Sequence, residues 1–280
     1  MWLCESLPHM PQLLAELQEN LKSGNTDART IAKLVSSDVA LVAQILRMVN
    51  SAYYGLAQPI VNVKLAIAYL GFNQVYRTVL TVSVVNSIGV ESRQALGEFW
   101  HHSYFTALTA KYLSSVYERH LDPGELWPAA LLHDVGKLVY IRLFPEHYEA
   151  LQSYQRTHRV TLVDAEEVLN YPSHTILGTL LCEQWKLPPA IADTTAHHHD
   201  PYAPRTSGTT VDMLAARRMI YVANLLTELA TSPLGDGVKF GIKGKVCDVL
   251  GCNDAQFMAI MGEVYDLRRE GDRFMDEFSW

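Results

Sequence analysis

The sequence predicts an all-α protein, and three observations support this prediction. Apolar residues recur at intervals of three and four along most of the 280 residues, which is the spacing of one helix face. Capping residues such as Ser, Thr, Asp and Asn precede these segments, and glycine follows several of them. Hydrophobic residues make up 49% of the chain and charged residues 19%, so the chain can bury a large core and is unlike a disordered protein.

The first seventy residues contain four predicted helices. Leucines between residues 13 and 21 form the first apolar stripe, and the fourth helix covers residues 63–70. The predicted boundaries are Gly24 after the first helix, Thr26 or Asp27 before the second, Ser37 or Asp38 before the third and Gly71 after the fourth.

The segment at residues 74–88 is ambiguous in its local preference. It is rich in Val and Thr, which favour strands. It is longer than a typical strand, however, and the chain has no second run of this kind with which it could pair. We therefore predict a buried helix against the local propensity.

The second half begins with a short polar connection at residues 89–97. A long helix at 98–118, a Pro-Gly turn at 123–124 and a helix ending at Leu132 follow. Further helices are predicted at about 135–143, 146–157, 161–170, 173–185, 189–198, 211–230 and 254–268, with loops at 200–210 and 231–245. The expected organisation is an N-terminal helical lobe over residues 1–92, a second helical lobe over 93–230 and a C-terminal loop and helical extension over 231–280.

The charge of the chain argues against nucleic acid as a partner. The net charge is −7 at pH 7, whereas broad contact with phosphates depends on many Lys and Arg residues. Lys239, Lys243 and Lys245 lie together in a glycine-rich segment. A solvated loop explains these three lysines better than a nucleic-acid site does.

Cysteine spacing and hydropathy predict a cytoplasmic protein without membrane contact. The four cysteines, Cys4, Cys182, Cys247 and Cys252, form no CxxC pair, which favours a reducing compartment. The N-terminus has no basic stretch followed by an apolar one, so no signal peptide is predicted. The most apolar stretch, residues 75–90, carries Arg77 and is shorter than the ~20 residues that a membrane helix needs.

Histidines are the chief indication of function. Most of the eleven lie between residues 101 and 199. Glu98 and His102 share one helix face, although a solvated pair has the same spacing. His133 and Asp134 can converge on one ion at a turn for which Gly136 supplies backbone freedom. Alternatively, Asp134 caps the next helix and His133 is a hydrogen-bonded core residue.

Two further histidine groups have both a functional and a structural interpretation. His174 lies just inside a helix that is otherwise apolar. The run His197 to His199 ends another helix, where imidazolium groups interact favourably with the helix dipole. Three consecutive histidines are nevertheless unusual, so a metal site remains the alternative interpretation.

These motifs together resemble a known family. Leu131-Leu132-His133-Asp134-Val135-Gly136-Lys137, with Trp100-His101-His102-Ser103 upstream, resembles the HD superfamily of metal-dependent phosphohydrolases. The string Asn50-Ser51-Ala52-Tyr53-Tyr54-Gly55 is similar to the HD-related output domain, HDOD, a bacterial signalling module. The resemblance covers roughly residues 6 to 230. It implies an all-α fold in which an N-terminal lobe packs on an HD-like helical bundle.

The resemblance also implies a set of metal ligands. The last aspartate of the HD pattern is replaced by Asn224, a neutral and weaker ligand. The Gly-Tyr-Pro motif of the HD-GYP branch is absent, because His199 is followed by Asp200-Pro201-Tyr202. The implied positions are His102, His133, Asp134, His174 and His198, with Glu98 as a further carboxylate and Asn224 at the substituted position.

Two functions follow from this resemblance. The first is a bacterial cytoplasmic signalling module that is not catalytic but can bind a metal, and whose partner is another signalling protein or a small phosphorylated ligand. The alternative is a phosphohydrolase that uses Mn, Fe, Zn or Ni to act on a nucleotide or cyclic dinucleotide. In that case Asp134 would hold the ion, which activates water, and Lys137 would neutralise a phosphate.

The motif at the end of the third helix has its own alternatives. Tyr53 and Tyr54 could line a groove between the lobes. A structural interpretation is that Asn50 satisfies backbone groups where the helix ends and the tyrosines pack at the lobe junction. We expect Trp100, Trp127 and Trp185 in the core.

Overall fold

The computed structural model describes residues 7–23, 28–36 and 38–277. Over these residues the chain forms fifteen α-helices and no strand, which confirms the all-α prediction. The first five helices are α1 (Gln12–Ser23), α2 (Ala28–Ser36), α3 (Val39–Val49), α4 (Val63–Leu70) and α5 (Phe72–Ser87). Asp38 caps α3 by accepting a hydrogen bond from the Leu41 amide at 2.9 Å. Gly71 ends α4 as predicted, with its amide donating to the Ile67 carbonyl. Four further boundary residues, Gly24, Thr26, Asp27 and Ser37, lie outside the described residues, as does Cys4.

Ten helices follow α5 in the part of the chain that the structure describes. They are α6 (Arg93–Tyr117), α7 (Pro123–Leu132), α8 (Val135–Leu143), α9 (Pro145–His158), α10 (Leu162–Leu169), α11 (His174–Gln184), α12 (Pro189–His197), α13 (Val211–Thr231), α14 (Asp236–Leu250) and α15 (Asp254–Glu277). Helix α6 is the central element, because α7, α13 and α15 all pack against it. None of the described helices is long and apolar enough to cross a lipid bilayer.

Helix α5 confirms the prediction of a buried helix at residues 74–88. Thr78 donates its hydroxyl to the Gln74 carbonyl at 3.0 Å, and Thr81 donates to the Arg77 carbonyl at 2.9 Å. These bonds satisfy the buried hydroxyls within the helix. The helix packs against the four helices before it and against α7, so its β-branched residues are buried on more than one side.

The segment after α3, which begins at Asn50, has the structural role of the two alternatives, because Asn50 satisfies backbone groups where the helix ends. Asn50 and the Ile60 backbone exchange two hydrogen bonds, from Nδ2 to the carbonyl at 2.8 Å and from the Ile60 amide to Oδ1 at 2.6 Å. Tyr53 is 3% exposed, and its ring centroid lies 3.6 Å from that of Trp127. A buried Tyr53 lines no open groove. Trp100, Trp127 and Trp185 are fully buried, as expected.

The predicted loop at residues 231–245 is wrong over most of its length, because α14 begins at Asp236. Three glycines in this helix each cost up to ~1 kcal/mol of helix propensity. The cost is offset by an apolar stripe in which Ile242 and Val246 are buried. The last helix also extends to Glu277, beyond the predicted end at 268. The other predicted loop, residues 200–210, is free of helix.

Candidate metal centre

The His133-Asp134 pair lies in the turn between α7 and α8. Both residues are fully buried. Asp134 precedes α8, but its side chain makes no capping hydrogen bond to that helix. The capping interpretation of Asp134 is therefore wrong, and the carboxylate faces the interior of the lobe.

Gly136 has a different role from the one expected. Its φ is not in the left-handed region, so backbone freedom does not explain it. A Cβ atom at this position would collide with the backbone of α11. Glycine is required because α8 and α11 touch here, and this contact brings His174 beside Asp134.

The Asp134 carboxylate lies between two groups of side chains. Its Oδ1 atom lies 3.1 Å from His174 Nε2 and 3.2 Å from His198 Nε2. Its Oδ2 atom lies 3.0 Å from His102 Nε2 and 3.3 Å from His133 Nε2. His199 joins the first group, with Nε2 3.1 Å from His174 Nε2. In each group the ligand atoms lie within 4.8 Å of one another.

The hydrogen-bond acceptors beside the Nδ1 atoms fix the tautomers of His133, His174 and His198. His133 Nδ1 lies 2.7 Å from the Ala130 carbonyl, and His198 Nδ1 lies 3.1 Å from the Thr195 carbonyl. A carbonyl only accepts, so both Nδ1 atoms carry the proton and both Nε2 atoms present a lone pair. His174 Nδ1 donates in the same way to Glu166 Oε1 at 2.8 Å. Partners of this kind orient metal-binding imidazoles.

The Nε2 lone pairs of these histidines point toward one another, and few hydrogen bonds separate them. His174 Nε2 lies 3.1 Å from both His198 Nε2 and His199 Nε2. Among the described residues, His102 Nε2, His133 Nε2 and Asp134 Oδ1 are buried without a hydrogen bond of good geometry. Acceptor atoms packed in this way repel one another unless a cation lies between them. Atoms bound to one ion at 2.0–2.2 Å lie about 3 Å apart, so the observed spacing fits a metal ion.

The protonation states also suit a metal. Burial alone would raise the pKa of Asp134, but Lys137 and His133 hold it well below its usual value. Burial lowers the pKa of His198 to about 3, since the opposing effect of Asp134 is smaller. Burial likewise lowers the pKa of His199 well below its usual value. An anionic carboxylate and neutral imidazoles are the forms that bind a cation. Burial also lowers the pKa of His174, but its hydrogen bonds to Asp134 and Glu166 raise it by more. A metal ion at His174 Nε2 must therefore displace a proton.

Lys137 lies beside the same carboxylate. Its Nζ atom is 2.5 Å from Asp134 Oδ2, and its side chain is 16% exposed. Burial lowers the pKa of Lys137, but the charges of Asp134 and Glu228 raise it by a larger amount, so the pKa is above its usual value. The ammonium group therefore stays charged and accessible at the edge of the cluster.

Two cavities reach the cluster from different sides. The larger, about 680 Å³, is bordered by His102, Asp134 and Lys137. The smaller, about 240 Å³, is bordered by Lys137, His199 and Asn224, with α14 on its outer side. A ligand can therefore approach the Oδ2 side of Asp134 through a cavity of small-molecule size.

Five of the seven proposed ligand positions come together, and two do not join the clustered atoms. Glu98 is exposed and accepts a hydrogen bond from Gln94 Nε2 at 2.9 Å, so it borders the larger cavity without facing the cluster. Asn224 is 2% exposed, and its Oδ1 atom has no hydrogen-bond partner among the described residues. It borders the smaller cavity beside His174 and His199.

Two site residues escaped the sequence analysis. His199 was part of the unusual histidine run, but only His198 was carried over from the family resemblance. Glu166 could have been found from the sequence, because it is a charged residue on the apolar stripe formed by Leu162, Ala165 and Leu169. A carboxylate on a buried helix face requires a polar partner, and here the partner is His174.

Comparison with known proteins agrees with this geometry. The family model for the HDOD domain matches residues 7–201. The chain belongs to the HDOD family. This match includes the clustered ligands of both groups and ends before α13, so Asn224 and the last three helices lie beyond it.

Solved structures of related proteins share the fold of this HDOD protein. An HDOD domain protein of unknown function from Geobacter sulfurreducens has a TM-score of 0.70 and 24% identity, with 96% of this chain and 93% of that chain covered. A structure named "Putative phosphohydrolase" from Shewanella amazonensis SB2B has a TM-score of 0.72 and 18% identity, covering 99% and 96% of the two chains.

A curated relative comes from Treponema pallidum (strain Nichols). This uncharacterised protein is 25% identical over 219 residues, which is 77% of this chain. The chain spans 42% of the length of that relative.

Proposed function

We propose that this HDOD protein is a bacterial cytoplasmic signalling module whose HD-like lobe binds divalent metal ions. The observation that carries the proposal is the position of Asp134, a buried carboxylate with a separate group of imidazole Nε2 atoms on each oxygen. Its signalling partner is a second signalling protein or a small phosphorylated ligand. A carboxylate shared between two groups suits a pair of ions.

The donor set indicates which ions fit. Imidazole nitrogens with one carboxylate suit Mn, Fe, Zn or Ni rather than Mg or Ca. One ion would be held by Asp134, His174, His198 and His199, and the other by His102, His133 and Asp134. Asn224 replaces a carboxylate with a neutral amide, which lowers the charge available to hold the ions.

Metal analysis with matched histidine variants tests this proposal. His102→Ala removes a ligand, whereas His101→Ala removes its neighbour, which pairs with Asp272 outside the cluster. The same contrast exists between His198→Ala and His197→Ala. We expect near-stoichiometric metal in the wild type and both control variants, and a large loss in His102→Ala and His198→Ala. Wild-type protein that stays free of metal after supplementation with all four ions would contradict the proposal.

A second candidate function is metal-dependent phosphoester hydrolysis, and the larger cavity favours it. When bound, the ions would lower the pKa of a water and polarise a phosphoryl oxygen. The chain itself supplies Lys137, whose ammonium borders both the cavity and the cluster and can neutralise a phosphate. Asp134 and His198 keep their metal-binding protonation states in this buried site.

Hydrolysis of bis(p-nitrophenyl) phosphate by metal-loaded protein tests this second function. We expect Asp134→Asn to abolish turnover and Lys137→Met to weaken phosphoester binding. Arg205→Ala, at an exposed position outside both cavities, should have no effect. Metal-loaded protein that shows no turnover on phosphodiesters or phosphomonoesters would leave the signalling function alone.

A further inference from the structure

One long wall of the larger cavity is a single face of α9. Tyr148, Gln152, Gln155 and Arg156 border the cavity, and their spacing of four, three and one places them on one side of the helix. The side chains of Gln152, Gln155 and Arg156 have no hydrogen bond or ion pair with any other described residue. Polar groups free in this way are available to a ligand.

The wall runs outward from the metal cluster. Tyr148 marks its inner end, because it borders the cavity with Lys137 and Asp134 and is close enough to interact with both electrostatically. Arg156 marks its outer end and is exposed. Eight residues of helix separate the two, which is a rise of about 12 Å. The wall is therefore longer than a single phosphate group and can contact an extended ligand.

The outer end of the cavity has a fixed shape. Arg159 Nε donates to the Pro233 carbonyl at 3.1 Å, and Arg159 Nη2 donates to the Leu234 carbonyl at 3.3 Å. The Gly235 amide donates to the Arg159 carbonyl at 2.8 Å. These bonds hold the end of α13 against the end of α9, so the rim beside Arg156 is part of the folded lobe.

Charges along the cavity show where anions can lie. Lys137 supplies positive charge at the inner end and Arg156 at the outer end. Glu98 and Glu228 also border the cavity, and Glu228 Oε2 accepts a hydrogen bond from Ser232 at 2.8 Å. Carboxylates in the lining of the same cavity disfavour a ligand that is anionic along its whole length, such as a polyphosphate.

We propose that the face of α9 formed by Tyr148, Gln152, Gln155 and Arg156 is the specificity wall for a phosphoester with a second anionic group. This inference rests on the proposed metal centre. The first phosphate lies at Lys137 and the cluster, and the second lies at Arg156, whose guanidinium suits bidentate contact with phosphate. The side-chain amides of Gln152 and Gln155 form hydrogen bonds, as donors and as acceptors, with polar groups of the ligand between the two phosphates.

Two thymidine nucleotides that differ by one nucleotide unit, and so by one phosphate group and one nucleoside, test the wall. The probes are thymidine 5′-phosphate and the 5′-phosphorylated thymidine dinucleotide, bound to manganese-loaded protein and measured by equilibrium dialysis, with dinucleotide integrity checked by chromatography. We expect the dinucleotide to bind about tenfold tighter or more, since a charge-assisted hydrogen bond contributes at least that factor. Arg156→Ala should abolish this preference and leave binding of the mononucleotide unchanged, whereas Arg205→Ala should preserve both affinities. Gln152→Ala/Gln155→Ala should weaken dinucleotide binding and leave metal content unchanged.

The outcomes separate this inference from the proposed metal centre. Metal-loaded protein whose dinucleotide preference persists in Arg156→Ala would overturn the specificity wall alone. Metal-loaded protein that binds neither probe would overturn it as well. Protein that takes up no metal after supplementation with all four ions but still shows an Arg156-dependent preference would support the wall and contradict the metal centre.

Discussion

Gly136 lies against the backbone of His174 so closely that a Cβ atom built on Gly136 would be 1.8 Å from the His174 carbonyl oxygen. The same atom would be 2.7 Å from the Gly178 amide nitrogen. Two glycines therefore let α8 and α11 meet without intervening side chains. This contact brings His174 Nε2 to 3.1 Å from Asp134 Oδ1, so the metal site depends on it.

We expect Gly136→Ala to destabilise the fold by about 1 to 3 kcal/mol, because the helices must separate to admit the methyl group. Metal content should fall with it, since His174 moves away from Asp134. Gly244→Ala is the control, because nothing lies within 4 Å of its Cβ position and alanine favours the helix. Thermal unfolding and metal analysis of both variants measure the effects. Equal stability of the two variants would show that the contact is looser than described.

Glu166 should strengthen metal binding although it touches no proposed ion. Its Oε1 atom accepts from both the backbone amide of His174, at 2.9 Å, and Nδ1, at 2.8 Å. Glu166→Gln keeps the shape but removes the charge, so we expect metal affinity to fall about tenfold or more. Competition with a chromogenic chelator measures the affinity. Glu167→Gln, at the exposed neighbouring position, should bind as the wild type does. Loss of affinity in both variants would point to a general effect of charge.

The turn that positions Asp134 was predictable from the sequence, whereas the complete cluster was not. His133, Asp134 and the glycine after them stand out locally. The meeting of ligands from α6, α11 and α12 depends on how distant helices pack, and here it was inferred only from a family resemblance. Within the run His197 to His199, the structure places His198 and His199 in the cluster and leaves His197 half-buried at its edge. Side-chain direction at a helix end decides this, and periodicity does not determine it.

Helix α14 is a case in which local composition gave a wrong prediction, because a loop was predicted where the chain forms a helix. Gly237, Gly241 and Gly244 indicated a loop, yet these positions have open space around them and tolerate helical backbone. Packing of Ile242 and Val246 against the rest of the lobe outweighs the weak propensity. Helix α5 was predicted correctly because its length and the lack of a partner strand decided against its β-branched composition.

The thiol of Cys182 should be unreactive in the native protein. It is 1% exposed, and burial raises its pKa from 9.0 to about 12, against a smaller opposing effect of Thr195. Since the folded-state pKa is the higher one, the folded form binds the proton more tightly. This contribution to stability is complete below about pH 9 and is lost as the pH rises toward 12. We therefore expect stability to fall in wild-type protein above pH 9 more steeply than in Cys182→Ala.

Alkylation followed by peptide mass analysis measures the reactivity directly. At pH 8, iodoacetamide should label Cys247, which is partly exposed, long before Cys182. Cys252 should react more slowly than Cys247, because burial and the neighbouring Cys247 raise its pKa to about 11. Cys182 should react only when denaturant unfolds the protein. Labelling of Cys182 at the same rate as Cys247 would show that α11 opens readily in the native state.

Removal of metal should lower thermal stability through the same cluster. A ligand that binds only the folded state at 100 times its Kd stabilises that state by about 2.7 kcal/mol. We therefore expect a chelator to lower the Tm of wild-type protein and of His101→Ala, and added manganese or zinc to restore it. His102→Ala should start from a lower Tm and respond less, because it has lost one of the three ligands of the ion beside Asp134 Oδ2. The metal-free state has a second cost, since the lone pairs around His174 Nε2 then face one another directly. A Tm that does not change with chelator in protein known to hold metal would mean that the lobe is rigid enough to bear this repulsion.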